Sequence, residues 1–210
     1  INIREGFETL VMSVHDKKWD KILKIKTTGR DDSSADLYRY SYEPTSYNVL
    51  ERLANSGLIR KNDVILDYGS GKGRVSFFIS HQTKAKSIGI EYDEKIYAIA
   101  KKNQKKAISA EHVCFIKKNA ESYQVPTEVN RCYFFNPFSV EILQMVIERI
   151  IESYYLEPRE IILFFYYPST EYISYLMTID ELEFMDKINC GDLFNADNWR
   201  EQIMVCKIHF

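Results

Sequence analysis

Cysteine is scarce and scattered in this chain: Cys114, Cys132, Cys190 and Cys206 lie far apart, and no two have the spacing of a zinc site. Each sits in an apolar, strand-like context, so each is expected to be a reduced thiol of the core. Long apolar runs are missing as well. No stretch of about eighteen apolar residues and no signal-peptide pattern occurs, which predicts a soluble, cytoplasmic protein without a membrane partner. Excess charge is also missing. The 28 Lys and Arg set against 30 Asp and Glu leave a net charge of −2, so only a local patch could make an electrostatic case for nucleic acid. There is no internal repeat and no low-complexity tract.

What the chain does have is apolar and aromatic surface, at 45% hydrophobic residues with 15 tyrosines and 12 phenylalanines. That is enough to bury a sizeable core in one domain with a short appendage. The chain is organised around Val64 to Ile79, V-I-L-D-Y-G-S-G-K-G-R-V-S-F-F-I. Val64, Ile65 and Leu66 read as a buried parallel strand. Gly69, Gly71 and Gly73 turn the chain, and Val75, Phe78 and Ile79 recur at helical spacing. A strand, glycine loop and helix in this order let a ligand lie against backbone, with free N–H groups beside the helix start for its polar or anionic end.

Residues 1–29 carry Phe7, Leu10, Val11 and Val14, then Trp19, Ile22, Leu23 and Ile25, at spacings that suggest one or two amphipathic helices. Gly29 to Asp36 reads as a linker or lid hinge. Thr45 or Ser46 is placed to cap a helix running to about Asn55, with Val49, Leu50 and Leu53 inside. Further strands are expected at Lys86–Glu91, His112–Ile116, Val129–Phe135 and Ile161–Tyr167, with helices at Asp93–Ile108, Val140–Ile151 and Thr170–Thr178. Crossovers of that length predict a parallel sheet covered on both faces. Glu183–Cys190 and Gln202–His209 are joined by a loop too short for a crossover helix, so they should form an antiparallel hairpin at the sheet edge. The expected fold is α/β: a doubly wound, mostly parallel, seven-stranded sheet with a C-terminal antiparallel hairpin and an N-terminal helical appendage. Residues 1–45 form the helical segment or lid, and 46–210 form the main domain.

The glycine spacing is G-x-G-x-G, not the G-x-G-x-x-G of a nicotinamide site. Asp67, two places before Gly69, has the wrong sign to face a pyrophosphate and the right sign to meet an ammonium, directly or through water. Glu91 ends the second strand, where a carboxylate can accept both hydroxyls of a ribose. A ligand with an amine at one end and an unphosphorylated ribose further along fits this pair. S-adenosylmethionine is such a ligand.

These residues give the sequence its resemblance to the class I S-adenosylmethionine-dependent methyltransferases over about Tyr42 to Phe210. D-Y-G-S-G-K-G-R resembles the first motif of that superfamily, and I-G-I-E-Y-D the acidic end of its second strand. N-A-E-S at Asn119 to Ser122 falls where the family contacts adenine, and F-F-N-P-F-S at Phe134 to Ser139 falls at the fourth-strand motif. A weaker resemblance runs to lysine-directed and bacterial members. The resemblance implies a Rossmann-like domain, S-adenosylmethionine as cofactor and S-adenosylhomocysteine as product. Its implied cofactor contacts are Asp67, Gly69, Ser70, Gly71, Gly73, Glu91, Tyr92, Asn119, Ala120 and Asn136, with Tyr42 and Thr45 added from the segment ahead of the domain. No metal is implied.

The implied catalytic residues are Asn136, Pro137 and Phe138. The Asn136 amide oxygen and the Pro137 carbonyl would hold the hydrogens of a neutral amine, and Phe138, Tyr42 and Tyr166 or Tyr167 would shape an aromatic pocket. The chain departs from the pattern twice: Asn119 stands where Asp is usual, and a single proline follows Asn136 where amine-methylating relatives often have two. The competing local readings are Asp67 as a loop cap, Glu91 as a solvated acid, N-P-F as a turn, and Tyr42 and Thr45 as a helix start. The expected reaction is methyl transfer to an amine of a small molecule or protein side chain. The alternatives are an RNA or DNA methyltransferase, a non-catalytic cofactor-binding protein and an NAD-linked oxidoreductase. Lysines 95, 101, 102, 105, 106, 117 and 118 are read as a solvated face in preference to an RNA site.

Overall fold

The computed structural model describes residues 14–30, 38–194 and 198–209. The expected helical positions Phe7, Leu10 and Val11, and residues 31–36 of the expected hinge, lie outside these. In chain order the elements are α1 (Val14–Leu23), α2 (Tyr47–Asn55), β1 (Val64–Tyr68), α3 (Arg74–Thr83), β2 (Lys86–Glu91) and α4 (Glu94–Gln104). There follow β3 (Val113–Lys117), β4 (Arg131–Phe134), α5 (Val140–Leu156), β5 (Ile162–Tyr166), α6 (Thr170–Leu176), β6 (Leu182–Asn189) and β7 (Gln202–Ile208).

The seven strands form one sheet in the order β3-β2-β1-β4-β5-β7-β6. β1 to β5 are parallel, whereas β7 runs antiparallel between β5 and β6. The terminal hairpin is therefore inserted by its second strand. Side chains alternate across the sheet, so Ile65 joins the core beneath α1, α2 and α3, while Leu66 joins the core beneath α5 and α6. Tyr68, Phe134 and Phe165 stack face to face across β1, β4 and β5, with centroids 4.8 and 4.7 Å apart. Each such pair adds about 1 kcal/mol beyond its buried area and stiffens the strand ends that carry the site.

Three local expectations are corrected. Neither Thr45 nor Ser46 caps α2 with its side chain: Thr45 Oγ1 pairs with the Tyr133 hydroxyl at 3.0 Å, and the Tyr47 N–H donates to Asp16 Oδ1 from α1 at 3.2 Å. The cap comes from a distant helix because Asp16 is already buried beside it. α4 stops at Gln104, not Ile108, since the amides of Lys106 and Ala107 both turn back to the Asn103 carbonyl. Cys114 is exposed, although Cys132, Cys190 and Cys206 are buried as expected, because β3 is an edge strand whose outward positions are left uncovered. Among the described residues no helix is long and apolar enough to cross a membrane.

Candidate active site

β1 has neighbours on both sides that lead into opposite halves of the sheet, and a crevice opens at the carboxyl ends of such strands. The glycine loop begins there. Gly69 and Gly71 have φ of +70° and +57°, in the left-handed region that glycine tolerates. A Cβ on Gly69 would lie 2.5 Å from Pro137 Cβ, and one on Gly71 would lie 2.1 Å from the Tyr42 ring. Both glycines are thus required by what closes onto the loop. Three of the loop amides are not free: Ser70 N–H donates to the Ile90 carbonyl, Gly71 N–H to Glu91 Oε2 and Gly73 N–H to the Ser70 carbonyl, each at 2.9 Å. The loop spends these three donors on its own geometry.

Asp67 and Glu91 define the polar floor. Asp67 is 2% exposed and accepts from Ser76 Oγ at 2.8 Å. Burial pushes its carboxyl up to about 7 against the Ser76 bond, and the Glu91 charge adds to the rise. Glu91 Oε2 holds Gly71 and its Oε1 accepts Asp93 N–H at 2.9 Å, so each oxygen keeps a further lone pair. Burial raises its pKa, and the N–H groups of Asp93 and Gly71 oppose the rise.

A cleft of about 1200 Å³, counted out to its mouth, opens over these acids. It brings together Tyr42, Thr45, Asp67, Gly69, Ser70, Glu91, Tyr92, Ala120, Asn136, Pro137 and Phe138. Gly71 and Gly73 lie outside its lining, the first beneath Tyr42 and the second packed on Phe115. Asn119 is exposed and also outside it, whereas Glu121 lines it. Tyr167 lines it too, but Tyr166 does not.

The roof is the segment that includes Tyr42. Residues 38–42 run antiparallel to the loop after β4: Tyr40 N–H donates to the Pro137 carbonyl at 3.3 Å, and Ser139 N–H to the Tyr38 carbonyl at 2.7 Å. The Pro137 carbonyl therefore already accepts one bond. Arg39 donates to Glu121 Oε1 at 2.7 Å, its guanidinium 4.9 Å from the Tyr92 ring centroid, and Glu121 Oε2 is buried without a partner. Arg39, Tyr40 and Tyr133 were missed because nothing in their local sequence marks them, and Glu121 because Asn119 and Ala120 of the same N-A-E-S run were chosen instead. They reach the cleft through tertiary pairing.

Asn136 is 8% exposed and held at φ +38°. Its Nδ2 donates to the Tyr167 carbonyl, which fixes the amide orientation and leaves Oδ1 buried with no partner at the cleft wall. Ser70 Oγ is likewise unpartnered. Buried polar atoms without partners are rare enough in folded proteins that several in one cleft point to a polar ligand. Asp67, Glu91 and these unpartnered oxygens are acceptors of the kind that the amine, ribose hydroxyls and adenine amine of S-adenosylmethionine require.

The cations of G-K-G-R are taken up by the N-terminal segment, although Arg74 also lines the cleft. Lys72 Nζ donates to the Thr28 and Gly29 carbonyls at 3.1 and 3.2 Å. Arg74, 2% exposed, donates to Thr27 Oγ1 at 2.7 Å and to Asp16 Oδ2 and the Thr45 carbonyl at 3.1 Å. They fasten the N-terminal segment over the loop. Among the described residues no cluster of His, Cys, Asp and Glu could hold a metal.

Fold and site together define a class: the chain has the architecture of the class I S-adenosylmethionine-dependent methyltransferases. More particularly, residues 36–132, a little under half of the chain, match the family model described as histone methylation protein DOT1. No curated protein matches the sequence. A Salinibacter ruber RNA methyltransferase solved with S-adenosyl-L-homocysteine is similar in fold, with a TM-score of 0.52 and 18% identity over 79% of this chain and 94% of that one. A Thiobacillus denitrificans S-adenosylmethionine-dependent methyltransferase, also with S-adenosyl-L-homocysteine, gives 0.53 and 15% over 79% and 91%. A TehB-like methyltransferase from Corynebacterium glutamicum gives 0.56 and 14% over 85% and 91%.

Proposed function

We propose that this protein is an enzyme that transfers the methyl group of S-adenosylmethionine to an amine nitrogen, carried by a small molecule or a protein side chain. The observation that carries this reading is the unpartnered Asn136 Oδ1 at the cleft wall, its amide locked by Tyr167. A neutral amine needs a hydrogen-bond acceptor that cannot donate, and a locked amide oxygen is one. When bound, the cofactor supplies a methyl already activated by its sulfonium.

The residues of this chain supply alignment and exclusion of water. Glu91 would hold the ribose hydroxyls, Asp67 the ammonium, and Glu121 the exocyclic amine of the adenine. Asn136 Oδ1 would accept one N–H of the incoming amine and direct its lone pair at the methyl. Tyr40, Phe138 and Tyr167 would close an aromatic wall around it. Transfer would form the N–CH3 bond as the S–CH3 bond breaks, with S-adenosylhomocysteine as leaving group and the nitrogen's proton passing to solvent.

A nucleobase amine is the second reading, favoured by the exposed lysines at 102, 105 and 106. Calorimetry with S-adenosylhomocysteine and NADH, followed by transfer of labelled methyl to a panel of amines, lysine peptides and RNA, tests both. Binding of S-adenosylhomocysteine alone and label on an amine are expected. NADH binding would overturn the cofactor assignment, label on RNA would select the second reading, and binding with no transfer to any acceptor would leave a binding protein.

A further inference from the structure

Lysines at and just beyond the end of α1 and lysines at and just beyond the end of α4 form one surface, although they are far apart in sequence. Asn103 joins them. Lys26 N–H donates to Asn103 Oδ1 and Asn103 Nδ2 donates to the Lys26 carbonyl, both at 3.0 Å, between residues 77 positions apart. Ile108 N–H adds a bond to the Leu23 carbonyl at 3.1 Å. Lys21, Lys24 and Lys26 are thereby set beside Lys102, Lys105 and Lys106, and all six are exposed.

The acids that would neutralise this face are turned elsewhere. Asp16 and Asp20, the acids of α1, are each 7% exposed and are taken up by Arg74, Thr27 and Tyr47. Glu94, at the far end of α4, pairs with Lys117. Among the described residues none of the six lysines has a carboxylate within ion-pair distance. Lys102 in the last turn of α4 and Lys105 and Lys106 just beyond it crowd like charges together, which repel, so the cluster is no device for stability. Nor does it follow from composition, since the chain as a whole carries −2.

Asn103 Nδ2 also donates to the Lys72 carbonyl at 2.9 Å, so the face borders the outer side of the glycine loop. We infer that this lysine face docks the phosphodiester backbone of a nucleic acid. Ammonium groups on flexible stems match singly charged, evenly spaced phosphates without reading sequence. A bilayer is disfavoured because the apolar groups here, Ile22 and Ile108 at 38% exposure each, are isolated and offer little to insert. An acidic protein would have to match fixed positions that six mobile lysines do not define. The inference is independent of which nucleophile receives the methyl group.

Fluorescence anisotropy of the full chain with labelled RNA and DNA of about 20 nucleotides, at salt from about 50 to 200 mM, tests it. The expected result is an affinity that falls with salt with a log–log slope of about −4, from six contacts on a single strand. Replacing Lys24, Lys26, Lys102 and Lys105 together by Gln should weaken binding by about 100-fold or more at low salt and make the slope shallower by about 3. The control Lys61→Gln with Lys187→Gln, both exposed and off this face, should leave binding within about twofold. Circular dichroism establishes that each variant is folded. The inference is overturned if the wild type binds neither oligonucleotide, if the control loses as much as the quadruple variant, or if phosphatidylserine vesicles or polyglutamate are bound as tightly as RNA and DNA.

Discussion

Asn136 and Tyr167 meet through a pair of left-handed backbones, at φ +38° and +52°, with the Asn136 amide donating to the Tyr167 carbonyl. Left-handed residues other than glycine cost of order 1 kcal/mol each and persist where surrounding contacts over-determine them. Here Arg200 supplies those contacts: it donates to the same carbonyl at 3.2 Å and lies 4.2 Å over the Tyr167 ring. The strain holds one amide oxygen at the cleft. Asn136→Ala is therefore expected to lower kcat by about 100- to 1000-fold while S-adenosylhomocysteine affinity stays within a few-fold, as for loss of a group that acts in the transition state. An unchanged kcat would remove Asn136 from the chemistry.

Glu91 carries a double load, because the oxygens assigned to a ribose also hold the amides of Gly71 and Asp93. Glu91→Gln keeps an acceptor but loses the charge and one backbone bond. A loss of about 10- to 100-fold in S-adenosylhomocysteine affinity is expected, since hydrogen bonds to a charged group contribute about 1.5–3 kcal/mol each. Calorimetry on protein shown to be folded reads it directly. Retained affinity would place the ribose elsewhere.

The strand–glycine–helix core and both acids were legible because they are local: apolar runs, turn glycines and a carboxylate at each strand end. The parallel sheet and its terminal antiparallel hairpin followed from crossover lengths. The roof was not legible, since Arg39 finds Glu121 across 82 positions and Tyr42 covers Gly71 only after the chain has folded back. Lys72 and Arg74 carry no role that the sequence marks; their bonds to residues 16, 27–29 and 45 make them fasteners of the N-terminal segment. Asn119 aligned with the family motif, yet its side chain is exposed, and the neighbouring acid takes the inward place.

Asp67 sets a pH dependence. Its folded pKa of about 7 lies above the ordinary 3.8, so between those values the native state holds a proton that the unfolded chain has lost. Stability from this group is thus fully present below 3.8 and falls as pH rises toward 7. Binding runs the other way, because an ammonium selects the ionised carboxylate. S-adenosylhomocysteine affinity should rise by up to about tenfold per pH unit below 7 and then level, with proton release on binding. Asp67→Asn should bind weakly with a flat profile. A flat profile in the wild type would show that Asp67 does not meet the amine.

Arg74 neutralises Asp16 at 3.1 Å and stands 4.0 Å from Asp20, with its guanidinium 4.5 Å from the Tyr47 ring centroid. Removing one member of such a buried group strands the others. Arg74→Met is expected to cost about 3–5 kcal/mol and lower Tm by about 10 °C. Adding Asp16→Asn should restore part of the loss, because the uncompensated charge, and not the missing contact, dominates. Equal melting of both variants in calorimetry would refute that division.

Glu121, assigned above to the adenine amine, offers a test that separates recognition of the adenine from recognition of the rest of the cofactor. One of its oxygens is held by Arg39 while the other is buried and unpartnered in the cleft, and only a hydrogen-bond donor can satisfy it. The exocyclic amine of adenine is such a donor, and the carbonyl that replaces it in hypoxanthine is not. The wild type should prefer S-adenosylhomocysteine to S-inosylhomocysteine by about 100-fold or more, because the second ligand leaves a buried acceptor unpaired. Glu121→Ala should bring the two affinities within a few-fold, whereas Glu91→Gln should weaken both alike and keep the preference. If Asn119→Ala rather than Glu121→Ala abolished the discrimination, the adenine contact would lie at the position the family motif marks.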